Sequence, residues 1–294
     1  MSHRTLLVLF LAGLFACGTA FIPSVFADET VGVFEAVETD GTGAWRIGGD
    51  AYLVDPDVAT IGSVAVPDAG ELVRVKFEIR DGVRHASALS PLGFGAEAVQ
   101  DGPYLLWEDA DSAVMITVVD GKVVRTEHDG IAVGDVLPTP SGLVPGIVVN
   151  SSYESPVADW ADARRILAVS DLEGNRETFM TFLRGNGVVD DDGRWAWGDG
   201  HLVLDGDIVD RGAEVTELLW TIRRLEREAT QAGGLVHYVL GNHESMVMAG
   251  DLRYIHPKYR FTTDRIGATY DALHGPSSEI GRWLRSRNSV IRVG

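Results

Sequence analysis

Apolar and charged residues alternate with period two along Val73-Arg74-Val75-Lys76-Phe77-Glu78-Ile79-Arg80. That stretch predicts a strand with one buried and one wet face, and the Asp81-Gly82 dipeptide after it predicts a tight turn. A second segment, Ala113–Val119 with residues 122–125 around Asp120-Gly121, predicts a hairpin. Residues 90–103 are rich in Gly and Pro, and residues 137–146 read as a connector. Residues 28–150 are therefore expected to form a small all-β accessory region, divisible into modules at 28–92 and 101–148. Its acids are scattered on solvent faces and His85 and His128 stand alone, so a scaffold without chemistry of its own is expected there.

From about Arg164 the period changes. Ile166–Val169 reads as a short buried strand, residues 177–184 as a helix ended by Asn186-Gly187, and residues 202–204 as a second strand. Residues 214–232 place Val215, Leu218, Leu219, Ile222, Leu225 and Ala229 on one helical face, and Gly233-Gly234 stops the helix. Residues 235–240 form a third strand. This β-α-β-α-β order predicts a parallel sheet with right-handed crossovers, whose ligands gather at the carboxyl ends of the strands.

The chain has 294 residues, 45% of them apolar, which is ample for a packed core and excludes a disordered chain. Lys and Arg number 25 against 43 Asp and Glu, a net charge of −18, so nucleic acid is not an expected partner. An anionic substrate would need bound cations or a local arginine, because the global field repels it. Residues 1–27 read as an export signal, with Arg4, the apolar run 6–16, Pro23 and cleavage after Ala27, which implies a periplasmic or extracellular protein without a membrane span. A competing reading takes Leu14-Phe15-Ala16-Cys17 as a lipoprotein box with Cys17 acylated. Cys17 is the single cysteine, so cleavage at Ala27 leaves neither disulfide nor thiol chemistry.

Each of the three strands is followed by polar residues. Asp171-Leu172-Glu173-Gly174-Asn175 follows the first, Gly206-Asp207-Ile208-Val209-Asp210-Arg211-Gly212 the second, and Gly241-Asn242-His243-Glu244 the third. All three would end at one rim, so Asp171, Glu173, Asp207, Asn242 and His243 converge there. Hard oxygen ligands grouped in this way suit divalent cations, and a carboxylate shared between two ions serves phosphate-ester hydrolysis.

Together these motifs resemble the calcineurin-like metallophosphoesterases, most closely the bacterial phosphatases related to phosphoprotein phosphatases, including the Shewanella-like group. The likeness covers about residues 164–294 and includes Gly250-Asp251-Leu252-Arg253-Tyr254-Ile255-His256-Pro257-Lys258-Tyr259. It implies an α/β metallophosphoesterase domain over residues 160–294, with a truncated β-sandwich core and flanking helices. It also implies two divalent ions, with Asp171 as a ligand of the first, Asp207 as the bridge and Asn242 as a ligand of the second that also faces substrate. His243 paired with Asp210 would be the general acid, a metal-bound hydroxide the nucleophile, and Arg211 the clamp on the phosphoryl oxygens. The fork of an arginine suits that last task independently of any family.

Two departures alter the expectation. The family usually has Asp-x-His where this chain has Asp171-x-Glu173. If Glu173 ligates, the first site is all-oxygen and favours Mn²⁺ or Mg²⁺, with Fe and Zn less suited; the alternative is that Glu173 faces away. The family also supplies two further histidine ligands from beyond this region, so the domain is expected to be incomplete, with His256 and His274 the remaining downstream histidines. The expected function is hydrolysis of phosphomonoesters, with a phosphoprotein or a small phosphomonoester as substrate. The rivals are a non-catalytic phosphate- or partner-binding relative and a phosphodiesterase or bis-nucleoside polyphosphate hydrolase.

Overall fold

The computed structural model describes residues 6–8, 28–37, 44–54, 67–140, 142, 144–150 and 152–294. Apart from strand β1 (Leu6–Val8), the export-signal reading of residues 1–27, Cys17 included, lies outside them. Strands β2 (Asp28–Val37), β3 (Trp45–Ile47), β4 (Asp50–Val54), β5 (Glu71–Arg80) and β6 (Val83–Gly95) close a five-stranded barrel in the order β2-β3-β4-β6-β5. Val73, Val75 and Phe77 point into it as their alternation requires, with Phe34, Ile47 and Tyr52. Ile79, on the same face, lies beyond the barrel rim and stays exposed.

Strands β7 (Asp101–Trp107), β8 (Ala113–Val119) and β9 (Lys122–His128) form an antiparallel meander. Both Asp-Gly dipeptides turn hairpins as expected: Asp81 and Gly82 have φ of 52° and 78°, and Asp120 and Gly121 of 49° and 69°. The connector region is bracketed by a short pair, β10 (Val136–Leu137) with β11 (Ile147–Val148).

After β12 (Asp159–Trp160) comes the α/β part. Strands β13 (Ile166–Val169), β14 (His201–Asp205) and β15 (Leu235–Val239) are parallel and in sequence order, joined by helices α1 (Arg176–Gly185) and α2 (Val215–Gln231). Helices α3 (Asn242–Met248), α4 (Pro257–Ile266), α5 (Tyr270–Leu273) and α6 (Glu279–Arg285) precede β16 (Ile291–Val293), which lies between β1 and β12. Alternation along β14 sorts the layers. Leu202 and Leu204 face the helices, whereas Val203 packs with Val239, Ile291, Val293 and Trp160 on the side of the β1-β16-β12 sheet. This is an α/β fold with a three-stranded parallel sheet and an all-β region before it. No helix among the described residues is long and apolar enough to cross a membrane.

The stripe predicted on α2 is fully buried, but so are Thr216, Glu217, Trp220 and Thr221 on its other face. The cause is β7, which covers that face. Leu105 and Trp107 belong to the same core as Leu218 and Ile222, Thr216 donates to Asp101 Oδ1 (3.0 Å), and Trp220 Nε1 donates to Pro103 O (2.9 Å). Lys258 completes a buried ionic cluster, 3.2 Å from Glu217 and 3.6 Å from Asp101. The meander read as accessory therefore shares one core with the α/β part.

Candidate active site

The loops after β13 and β14 are stitched backbone to backbone at the expected rim. The N–H groups of Asp171, Glu173 and Gly174 donate to the carbonyls of Gly206 (3.2 Å), Asp207 (3.0 Å) and Ile208 (2.8 Å), and Gly212 N–H donates to Glu173 O (2.9 Å). Left-handed backbone aims the side chains: φ is 53° at Asp171, 45° at Glu173, 53° at Asp207, 72° at Asp210 and 57° at Arg211. Such residues cost about 1 kcal/mol or more each and persist where the surroundings over-determine them. Gly206 and Gly241 allow close approach of the second and third loops, since a Cβ on Gly241 would stand 2.3 Å from Asp207 Oδ1 and one on Gly206 2.5 Å from Gly241 N.

The organiser of these loops is Glu244, fully buried and part of the third motif but assigned no role by sequence reasoning. Its carboxylate accepts the N–H groups of Gly241 (2.7 Å), Asp207 (3.0 Å), Ile208 (2.8 Å) and Val209 (3.2 Å) and the hydroxyl of Tyr238 (2.9 Å). One side chain thus sets the position of Asp207 and the start of α3 together. His243 N–H donates to Asp207 Oδ1 (3.0 Å), and its Nδ1 meets Asp210 Oδ2 at 2.8 Å, with both side chains buried. Burial raises the Asp210 carboxyl above the usual carboxylate range and the bond to His243 draws it partly back. Asp210 as carboxylate accepts Nδ1–H and so leaves Nε2 for proton exchange with a ligand.

Arg211 and Tyr254 line the exposed side. Tyr254 O accepts Arg211 N–H (2.8 Å), its ring lies 5.6 Å from the Arg211 guanidinium carbon, and its centroid is 5.3 Å from that of His243. The signal for Tyr254 was the 250–259 stretch, but its position against both groups is tertiary. Glu173, expected beside Asp171 as a metal ligand, pairs with Arg211 through Oε1. The reason is local: both residues sit in left-handed turns on stitched loops, which bring opposite charges together. Asp171 and Asn242 are exposed at the rim and Asp207 is buried under it.

The donors fit a hard divalent cation. Asp205 Oδ1 is buried without a hydrogen-bond partner, and burial together with the neighbouring charges of Asp171 and Asp207 raises the Asp205 carboxyl. Three aspartates crowded in this way are relieved by a cation, and oxygen donors suit Mn²⁺ or Mg²⁺. No three His, Cys, Asp or Glu side chains among the described residues form a metal cage by themselves, so the Asn242 carbonyl and non-protein oxygens would share the shell.

His256, His274, His201 and His237 bond within the fold, away from the rim residues. His256 Nδ1 caps α4 by accepting Lys258 N–H (3.1 Å), His274 Nδ1 bonds Tyr270 O (2.9 Å), and His201 pairs with His237 (2.9 Å). Trp195 and Trp197 pack against the main core.

Residues 164–290 match the family model described as calcineurin-like phosphoesterase, and this part of the chain is a metallophosphoesterase domain of that family. Within it the chain is similar to Shewanella-like protein phosphatase 2 of Arabidopsis thaliana, 34% identical over 111 residues, covering 38% of this chain and 27% of that protein. It is also similar to Shewanella-like protein phosphatase 1 of Plasmodium berghei, 27% identical over 110 residues, covering 37% of this chain and 30% of that protein. Among solved structures it resembles a cold-active protein-tyrosine phosphatase of a psychrophilic Shewanella species, with TM-score 0.60 and 36% identity over 65% of this chain and 58% of that chain. That likeness extends beyond residues 164–290 into the β-rich region. The chain spans less than a third of either curated relative.

Proposed function

We propose that this chain is an exported, metal-dependent phosphomonoesterase that acts on phosphorylated proteins. The observation that carries it is the buried His243–Asp210 pair at 2.8 Å, beside Arg211 and with its backbone tied to Asp207. Arg211 binds the phosphoryl oxygens with its fork and offsets charge that grows there. His243 gives a proton from Nε2 to the leaving oxygen, and Asp210 holds the ring and stabilises the imidazolium form. Asp171, Asp207 and Asn242 would hold the divalent ions, which when bound supply Lewis-acid charge and an activated water. The same cations answer the repulsion of phosphate by a chain of net charge −18.

The names of its relatives, protein phosphatases and a protein-tyrosine phosphatase, favour a phosphorylated side chain as substrate. The test is p-nitrophenyl phosphate hydrolysis with Mn²⁺, compared with chelator-treated protein and Asp207→Asn. Turnover is expected to fall by a factor of about 10³ or more in both controls, as when charge stabilisation at the reacting centre is removed. Turnover that survives both overturns the reading. Export rests on Arg4, the apolar run 6–16 and Val25-Phe26-Ala27. N-terminal sequencing of protein recovered outside the cytoplasm should begin at Asp28, and a chain retained inside with Met1 intact would refute it.

A further inference from the structure

Glu173 stands where the resembled motif has an imidazole, and its surroundings give it different work. We infer that Glu173 is the positioning residue of the phosphate-binding arginine and not a metal ligand, an inference that rests on the phosphatase reading of the same site. Its Oε1 makes a close ion pair with Arg211 Nη1; the carboxylate is largely withdrawn at 18% exposed, whereas the guanidinium is 53% exposed. The arginine is held from two further directions, by the Tyr254 ring at 5.6 Å and by Tyr254 O on its backbone N–H at 2.8 Å. The loop carrying Glu173 is fastened to that carrying Arg211 through Gly212 N–H to Glu173 O at 2.9 Å. The cradle is therefore built on rigid backbone, with left-handed residues at both ends.

A guanidinium carries five N–H donors in a planar fork. Glu173 engages one of its terminal nitrogens and Tyr254 one face, which leaves the rest of the fork, on the exposed side, for phosphoryl oxygens. A free arginine side chain samples many rotamers, a freedom that binding would have to remove. Holding the group in place beforehand lowers that cost, while the carboxylate balances its charge when no phosphate is bound. A neutral imidazole at position 173 could accept one N–H but would not balance the charge. The metal donors do not need Glu173: Asp171, Asp205 and Asp207 already crowd one another.

The test compares the full chain with Glu173→Gln, Glu173→Ala, Arg211→Ala and the Glu173→Ala/Arg211→Ala double variant. Mn²⁺ and then inorganic phosphate are titrated calorimetrically, and KM and kcat are measured with p-nitrophenyl phosphate. Mn²⁺ affinity should stay within about threefold of wild type in both Glu173 variants. Phosphate affinity and KM should worsen about tenfold in Glu173→Ala and less in Glu173→Gln, with kcat changed less than about threefold. The double variant should bind phosphate no more weakly than Arg211→Ala alone. Mn²⁺ binding weakened about tenfold or more in Glu173→Gln, or losses that multiply in the double variant, overturns the inference. A wild type that binds phosphate but hydrolyses no ester sinks the hydrolase reading alone, and the phosphate titrations still decide Glu173. A wild type that binds no phosphate overturns both.

Discussion

Replacing Glu244 by Gln is expected to cost about 4 kcal/mol of folding stability and to abolish phosphoester hydrolysis by whatever remains folded. Both carboxylate oxygens are in use: Oε2 accepts Asp207 and Gly241, and Oε1 accepts Ile208, Val209 and the Tyr238 hydroxyl. An amide keeps one oxygen and turns an NH₂ toward at least two N–H donors, so at least two charge-assisted bonds are lost and donors face donors at a fully buried position. The loop then moves and takes Asp207 with it. Urea unfolding gives the stability term, and turnover measured well below the unfolding midpoint gives the functional one. A Gln variant within about 1 kcal/mol of wild type and still active would show that the loop holds its shape without this carboxylate.

Acid should weaken the fold through the other end of the same sheet. His201 Nδ1 and His237 Nε2 share one hydrogen bond at 2.9 Å, and the Trp160 ring packs on both. Burial, with His201 adding to it, pushes His237 from 6.5 down to about 4. The unfolded chain therefore binds a proton that the folded chain refuses between pH 6.5 and 4, so this contribution is complete above pH 6.5 and is lost as pH falls through that window. The loss amounts to about 2.5 kcal/mol between pH 7 and 4.5. His237→Gln stays neutral throughout, so the stability gap between wild type and variant should shift by that amount over the same range. Parallel stability–pH curves for the two proteins would remove the histidine pair as the cause.

What the sequence made legible was local. The Asp-Gly hairpins and the strand Ile166–Val169 follow from periodicity and turn chemistry that neighbouring residues decide among themselves. The ends of β13, β14 and β15 meet at one rim because the β-α-β-α-β order leaves little alternative. Hidden from sequence was whatever depends on two distant turns meeting. Glu244 is the last residue of a recognisable motif, yet its role exists only because the loop at 206–209 folds over it. Glu173 and Arg211 each had a plausible separate task, and only the left-handed turns that face them toward one another show that they share one. Glu217 and Thr216 lie off the apolar stripe of α2, and nothing in the local sequence says that β7 covers them.

That covering of α2 bears on how such a protein could have been assembled. The residues that carry the chemistry span 171–243, but the helix behind them is walled on one side by β7, with Lys258 and Glu217 buried against Asp101 and Trp107 donating to Glu279 at 2.8 Å. A recombination event that moved residues 160–294 alone would have parted Lys258 from Asp101 and Glu279 from Trp107, and delivered a bare apolar flank to its new host. The smallest block that could be moved whole is therefore larger than the smallest chemical one, because the meander and the α/β part share one core.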